Sequence, residues 1–144
     1  MTISVFDAAK TLGYYAGWRL SNLQMQKILY LAHMVYMGEN KGEPLVDEEF
    51  QSWDYGPVLP SLYYKVKFFG NKPVQDVFHR NRILTDGPES KILKDAAEKF
   101  SNANPGSLIA WTHRPNGAWD KTYIPGARNI TIPNKEILAE YQSF

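Results

Sequence analysis

The 144-residue chain contains no cysteine, which excludes disulfides, thiol nucleophiles, iron–sulfur clusters and cysteine-based zinc sites. It also lacks an excess of one charge: 16 basic side chains face 15 acidic ones, for a formal net charge of +1. No global field therefore drives it toward nucleic acid or anionic lipid. No apolar run approaches the roughly 18 residues of a spanning helix, and "MTISVFDAAK" has no basic stretch followed by an apolar one. A soluble cytoplasmic protein with no membrane association is expected. Phosphate cradles of the G-x-x-x-x-G-K-[ST] or G-x-G-x-x-G kind are missing, as is a G-x-S-x-G elbow. The three histidines, His33, His79 and His113, show no ligand-like pairing, so no metal and no cofactor are expected.

What is present is apolar and aromatic: 44% hydrophobic and 14% aromatic residues, enough for one folded core over residues 1–144. Ser4 and Asp7 have capping spacing, and Val5, Ala9, Leu12 and Ala16 follow on one face, predicting a first helix that runs to Gly17. Ser21 and Gln24 repeat the signature before "MQKILYLAHMVYMG", where His33 is the only strongly polar side chain from Ile28 to Met37. A helix apolar nearly all round belongs inside, so residues 21–38 are expected to form a buried central helix. Pro60 suits the first turn of a third helix ending at Gly70, with Leu62, Val66 and Phe69 buried. Residues 71–84 fit an edge strand or a loop. Asp86, Pro88 and Glu89 open a fourth helix, "GSLIAWTHRP" forms a fifth, residues 116–129 form a loop, and "PNKEILAEYQ" is a terminal helix. The expected fold is mainly α, a compact helical bundle with short strands at about 50–54 and 129–132.

Three groups of residues stand out. Gln26, Tyr30 and His33 recur at i, i+4 and i+7, within about 60° on one helix face. This stripe can contact a ligand or partner, or satisfy a loop packed over the helix. "SWDYGPVLP" and "WTHRPNGAWD" combine Trp with rigid turn residues, as either interface loops or lids over the core. "KVKFFGNK" and "FHRNR" interleave basic and aromatic residues, a weak single-strand-binding pattern. The phenylalanines at 68 and 69 read more simply as the apolar end of a helix, which disfavours nucleic acid.

Taken in order, "LSNLQMQKILYLAHMVYM", "GEPLVDEEFQSWDYGPVLPSLYYKVKFFG", "SLIAWTHRPNGAW" and "ITIPNKEILAEY" resemble the phage-associated GepA and SocA-like family, also called the Panacea antitoxin domain. The resemblance runs from about Val5 to Tyr141. It implies a non-enzymatic, mainly helical antitoxin that binds a cognate toxin encoded by a neighbouring gene. Some members resemble adaptors that deliver the toxin to a AAA+ protease. The motif falls on Gln26, Lys27, Tyr30, Trp53, Tyr55, Gly56, Pro57, Trp111, Thr112, His113 and Trp119, with Arg114 adjoining it. His33 occupies a place where many relatives carry another polar residue. Two alternatives remain: a phage-encoded regulator or proteolytic adaptor acting on a host protein, and an enzyme that binds a small molecule through the stripe with Arg114 or Asp120.

Overall fold

A computed structural model describes residues 1–144. Seven α-helices and one small hairpin make up the chain: α1 (Val5–Tyr15), α2 (Asn22–Glu39), β1 (Gln51–Trp53), β2 (Gly56–Val58), α3 (Pro60–Val66), α4 (Gly87–Phe100), α5 (Pro105–Thr112), α6 (Ala118–Thr122) and α7 (Asn134–Gln142). A single 3-10 turn, Lys67–Phe69, extends α3. The protein is mainly α, as the periodicity and the family resemblance both predict. No helix is long and apolar enough to cross a membrane.

The caps expected at Ser4 and Ser21 form, whereas Asp86 at the start of α4 makes no side-chain cap hydrogen bond. Asp7 N–H donates to Ser4 Oγ at 3.0 Å, and Ser21 and Gln24 make a reciprocal capping box at the start of α2. Of the 18 residues of α2, 13 are buried, because α1, α3, α4, α5, α7 and β2 all pack on it. Each fully buried aliphatic or aromatic side chain there contributes roughly 1.5–3 kcal/mol, so α2 is held by tertiary burial more than by helix propensity. Gly38 stands in the last turn of the helix expected over 21–38, which ends one residue later at Glu39. The Tyr141 ring lies against Gly38, and the chain turns at Lys41 and Gly42, both at positive φ.

Residues 71–84 are loop, since α1 supplies partners that a sheet would otherwise provide. Leu84 N–H donates to Thr11 Oγ1 at 2.9 Å. Asp7 Oδ1 accepts from Asn81 Nδ2 at 2.9 Å and Arg82 N–H at 3.2 Å. Lys10 Nζ donates to the Phe78 carbonyl at 3.1 Å. With backbone groups met in this way, no strand pairing is needed.

The strand expected at 50–54 forms, as one arm of a hairpin whose second arm is Gly56–Val58, a stretch that reads as turn in the sequence; the register pairs Gln51 with Val58 and Trp53 with Gly56. Two further expectations are corrected. At 129–132 there is only an isolated antiparallel bridge between Thr131 and Gln51, fastened by Ser52 N–H to the Ile130 carbonyl and Ile132 N–H to the Phe50 carbonyl. The expected loop at 116–129 contains the short helix α6, over which Trp119 turns inward.

Candidate functional site: the hairpin cleft

The polar stripe of α2 is internal. Gln26 mimics a backbone partner: its Oε1 accepts from Leu59 N–H at 2.8 Å and its Nε2 donates to the Leu59 carbonyl at 3.3 Å. Tyr30 O–H donates to Glu140 Oε1 at 2.7 Å. His33 Nε2 lies 2.9 Å from Asn134 Oδ1, and Nδ1 faces Val46 N–H at 3.4 Å. Each of these side chains ties a different segment to α2 and is buried, Gln26 alone bordering the cleft described below. Burial lowers the His33 pKa to about 4, the Asn134 contact opposing it. Desolvation also drives the Tyr30 hydroxyl well above the ordinary tyrosine range, with the Glu140 charge adding to it. The stripe therefore supports a surface and does not form one.

Lys27, one residue along from Gln26, is the least ordinary group in the core. It is only 1% exposed, and its Nζ donates to the Pro57 carbonyl at 2.9 Å. Desolvation lowers its pKa to about 7. Gly56, at φ 116°, makes room for it: a Cβ there would stand 2.9 Å from Lys27 Cε and 3.0 Å from His113 Nε2. Pro57 is buried beside it. His113 stacks on Trp119 at 3.7 Å and 10°, and its Nε2 is buried without a hydrogen-bond partner. Burial lowers the His113 pKa, the Tyr55 backbone nearby opposes this, and the Lys27 charge adds to the lowering.

The two aromatic loops meet here. Trp119 Nε1 donates to the Trp53 carbonyl at 2.8 Å, and Trp53 Nε1 to Gln51 Oε1 at 3.0 Å. Both indoles are largely buried, so they serve as lids with locally satisfied N–H groups. Tyr55, at the hairpin tip, is the opposite case at 72% exposed. Beside it Trp53, Tyr63 and Tyr64 form edge-to-face contacts at 4.9 and 5.3 Å along the row, and the Arg128 guanidinium covers Trp53 at 4.6 Å. A cleft of about 620 Å³ opens between this row and the start of α2, lined among others by Gln24, Lys27, Trp53, Tyr55, Tyr63 and Arg128.

The remaining predicted residues lie around this site. Trp111, on α5, is partly exposed against Phe100. Thr112 is buried and donates to the Leu108 carbonyl. Arg114 is committed to Glu140 at 3.2 Å and lies over the Phe144 ring. Asp120 accepts from Asn116 N–H, so neither Arg114 nor Asp120 joins the α2 stripe in a substrate site.

Glu140 was missed by sequence reasoning. Buried on α7, it accepts from Tyr30 O–H, Ala118 N–H and Arg114 Nε, joining α2, α6 and α7. Nothing in "EILAEYQ" distinguishes it from a solvated acid, because its partners are distant in sequence. Asp54 was also missed: it accepts from Tyr123 O–H at 2.7 Å and Gly126 N–H at 3.1 Å, contacts that hold its pKa below the ordinary range. No group of three His, Asp or Glu side chains is placed to hold a metal ion.

A helical domain with a buried polar spine and an aromatic hairpin cleft is the class that the fold and site define. The family model "Antitoxin SocA-like, Panacea domain" matches residues 25–120, a span that contains the stripe, Lys27, the hairpin, His113 and Trp119. The chain belongs to this family. It is similar to "Antitoxin SocA" of Caulobacter vibrioides (strain NA1000 / CB15N), at 30% identity over 111 residues, 70% of this chain and 58% of the relative. The chain thus spans little more than half the length of that relative. No solved structure matches it.

Proposed function

We propose that this protein is a non-enzymatic antitoxin that neutralises a toxin encoded by a neighbouring gene, in a phage or prophage setting, by binding it directly through the hairpin cleft and the aromatic row beside it. The observation that carries this reading is the exposure of Tyr55, Tyr64 and Phe68, 72%, 56% and 70% respectively, in a protein where Gln26, Tyr30, Trp53 and Trp119 are turned inward and hydrogen-bonded. Trp, Tyr and Arg are the side chains that dominate interface energetics, and exposed apolar patches mark interaction sites. Family membership and the likeness to an antitoxin supply the partner class. Neutralisation by occupation needs no chemistry from this chain, which agrees with His33 and Glu140 being engaged within the fold.

Co-expression with the adjacent gene tests it. Growth arrest by that gene alone, relief by this protein and co-purification of the two are expected. A harmless neighbour that does not co-purify would sink the reading.

A further inference from the structure

Lys27 is a nearly fully buried ammonium with one acceptor, the Pro57 carbonyl, although the group carries three donors. No carboxylate of this chain forms an ion pair with it; the seven pairs present involve other residues. It nevertheless lines the 620 Å³ cleft, whose volume falls within the roughly 300–1,000 Å³ of ligand pockets.

Cations outnumber acids around that cleft. Lys27, Asp54 and Arg128 are its only charged lining residues, and the one carboxylate, Asp54, is held by Tyr123 O–H and Gly126 N–H through Oδ1. The adjoining chain from Tyr55 to Gln75 carries Lys65, Lys67 and Lys72 and no acid, and residues 121–135 carry none either. The first turn of α2, through Ser21, Asn22, Leu23 and Gln24, closes one side and turns the positive end of an 18-residue helix toward the same space. Trp53, Tyr55 and Tyr63 provide apolar walls.

We propose that this cleft receives an acidic, extended segment of the neutralised partner, with a Glu or Asp carboxylate meeting the Lys27 ammonium and flanking apolar side chains lying against Trp53, Tyr55 and Tyr63 beneath Arg128. A carboxylate completes the hydrogen bonding of a buried cation that has one acceptor, and removes the isolation that makes its charge costly. Near neutral pH, where burial leaves Lys27 only partly protonated, the incoming anion favours the charged form, so binding takes up a proton. The proposal rests on the antitoxin reading for its partner.

The test uses two capped tripeptides, acetyl-Phe-Glu-Phe-amide and its Gln counterpart, titrated into the ¹⁵N-labelled full chain at low salt. The Glu peptide is expected to bind about ten-fold tighter or more, since a charge-assisted hydrogen bond contributes about 1.5–3 kcal/mol. Amide shifts should centre on residues 21–27, 53–58 and 128, and the preference should shrink as salt rises. Lys27→Met should erase it. Arg128 lies on the exposed rim, so Arg128→Gln keeps the fold and should weaken the Glu peptide selectively even if Lys27→Met fails to fold. Equal binding of the two peptides, shifts elsewhere, or no shifts at millimolar peptide would overturn the proposal. Toxin neutralisation without Glu preference would remove this inference alone, whereas Glu preference without toxin neutralisation would remove the antitoxin reading and leave an acidic-segment site.

Discussion

Lys27 Nζ donates to the Pro57 carbonyl at 2.9 Å across the cleft floor, tying the central helix to the second arm of the hairpin that carries Tyr55. The bond holds the hairpin over α2 while keeping a cation out of water. Between about pH 7 and 10.5 the unfolded chain binds a proton at this lysine that the folded chain has released, so stability from this group rises with pH across that window. Below pH 7 the full cost of the buried charge applies, on the order of 5 kcal/mol. Denaturant unfolding from pH 6.5 to 10 should show Lys27→Met gaining on wild type at the acid end and losing that advantage toward pH 10. A difference independent of pH would contradict the buried-amine assignment.

His33 works in the opposite range. Its pKa of about 4 in the fold lies below the ordinary 6.5, so the stability tied to the neutral ring is complete above pH 6.5 and is lost as pH falls toward 4, by up to roughly 3 kcal/mol. His33→Gln keeps a donor and an acceptor but does not titrate. Its unfolding free energy should fall less steeply over pH 6.5–4 than that of wild type, and parallel curves would show that His33 is not the group responsible.

Gly56→Ala places a methyl group 2.9–3.0 Å from Lys27 and His113 at a φ of 116°. Backbone strain alone costs about 1–3 kcal/mol, and the Lys27–Pro57 contact must also yield. Thermal unfolding should shift down by several degrees, whereas Gly70→Ala, with open space around it, should lose only the strain of its positive φ. Equal losses would mean that close approach is not what Gly56 provides.

Much of this arrangement was legible in the sequence because local chemistry encoded it. Ser4 and Ser21 announce their helices, Pro60 begins α3, and the apolar run from Ile28 to Met37 marks a helix buried on all sides. The rest depends on contacts distant in sequence. Gly56–Val58 reads as a turn until its pairing with Gln51–Trp53 makes it a strand, and α6 is too short to show periodicity. The stripe of Gln26, Tyr30 and His33 was visible, but its direction was not, because Leu59, Glu140 and Asn134, which satisfy it, come from elsewhere in the chain. Trp53 and Tyr55 stand two residues apart with opposite fates, and only the hairpin decides which ring is covered.

Glu140 offers a sharper contrast. Glu140→Ala leaves Tyr30 O–H and Ala118 N–H without acceptors in the core, at about 1–3 kcal/mol each; Glu140→Gln retains an acceptor for them. Chemical denaturation should place the Ala variant at least about 2 kcal/mol below the Gln variant. Similar stabilities would contradict the hub role.

The proposed toxin contact is the exposed aromatic face of the hairpin and α3. Calorimetric titration of the purified product of the neighbouring gene with wild type and with Tyr55→Ala/Tyr64→Ala measures it most directly. A defined complex for wild type is predicted, with affinity reduced at least about thirty-fold in the double variant, equivalent to roughly 2 kcal/mol, and an unchanged unfolding midpoint. A wild-type complex that the double variant forms equally well would contradict the account.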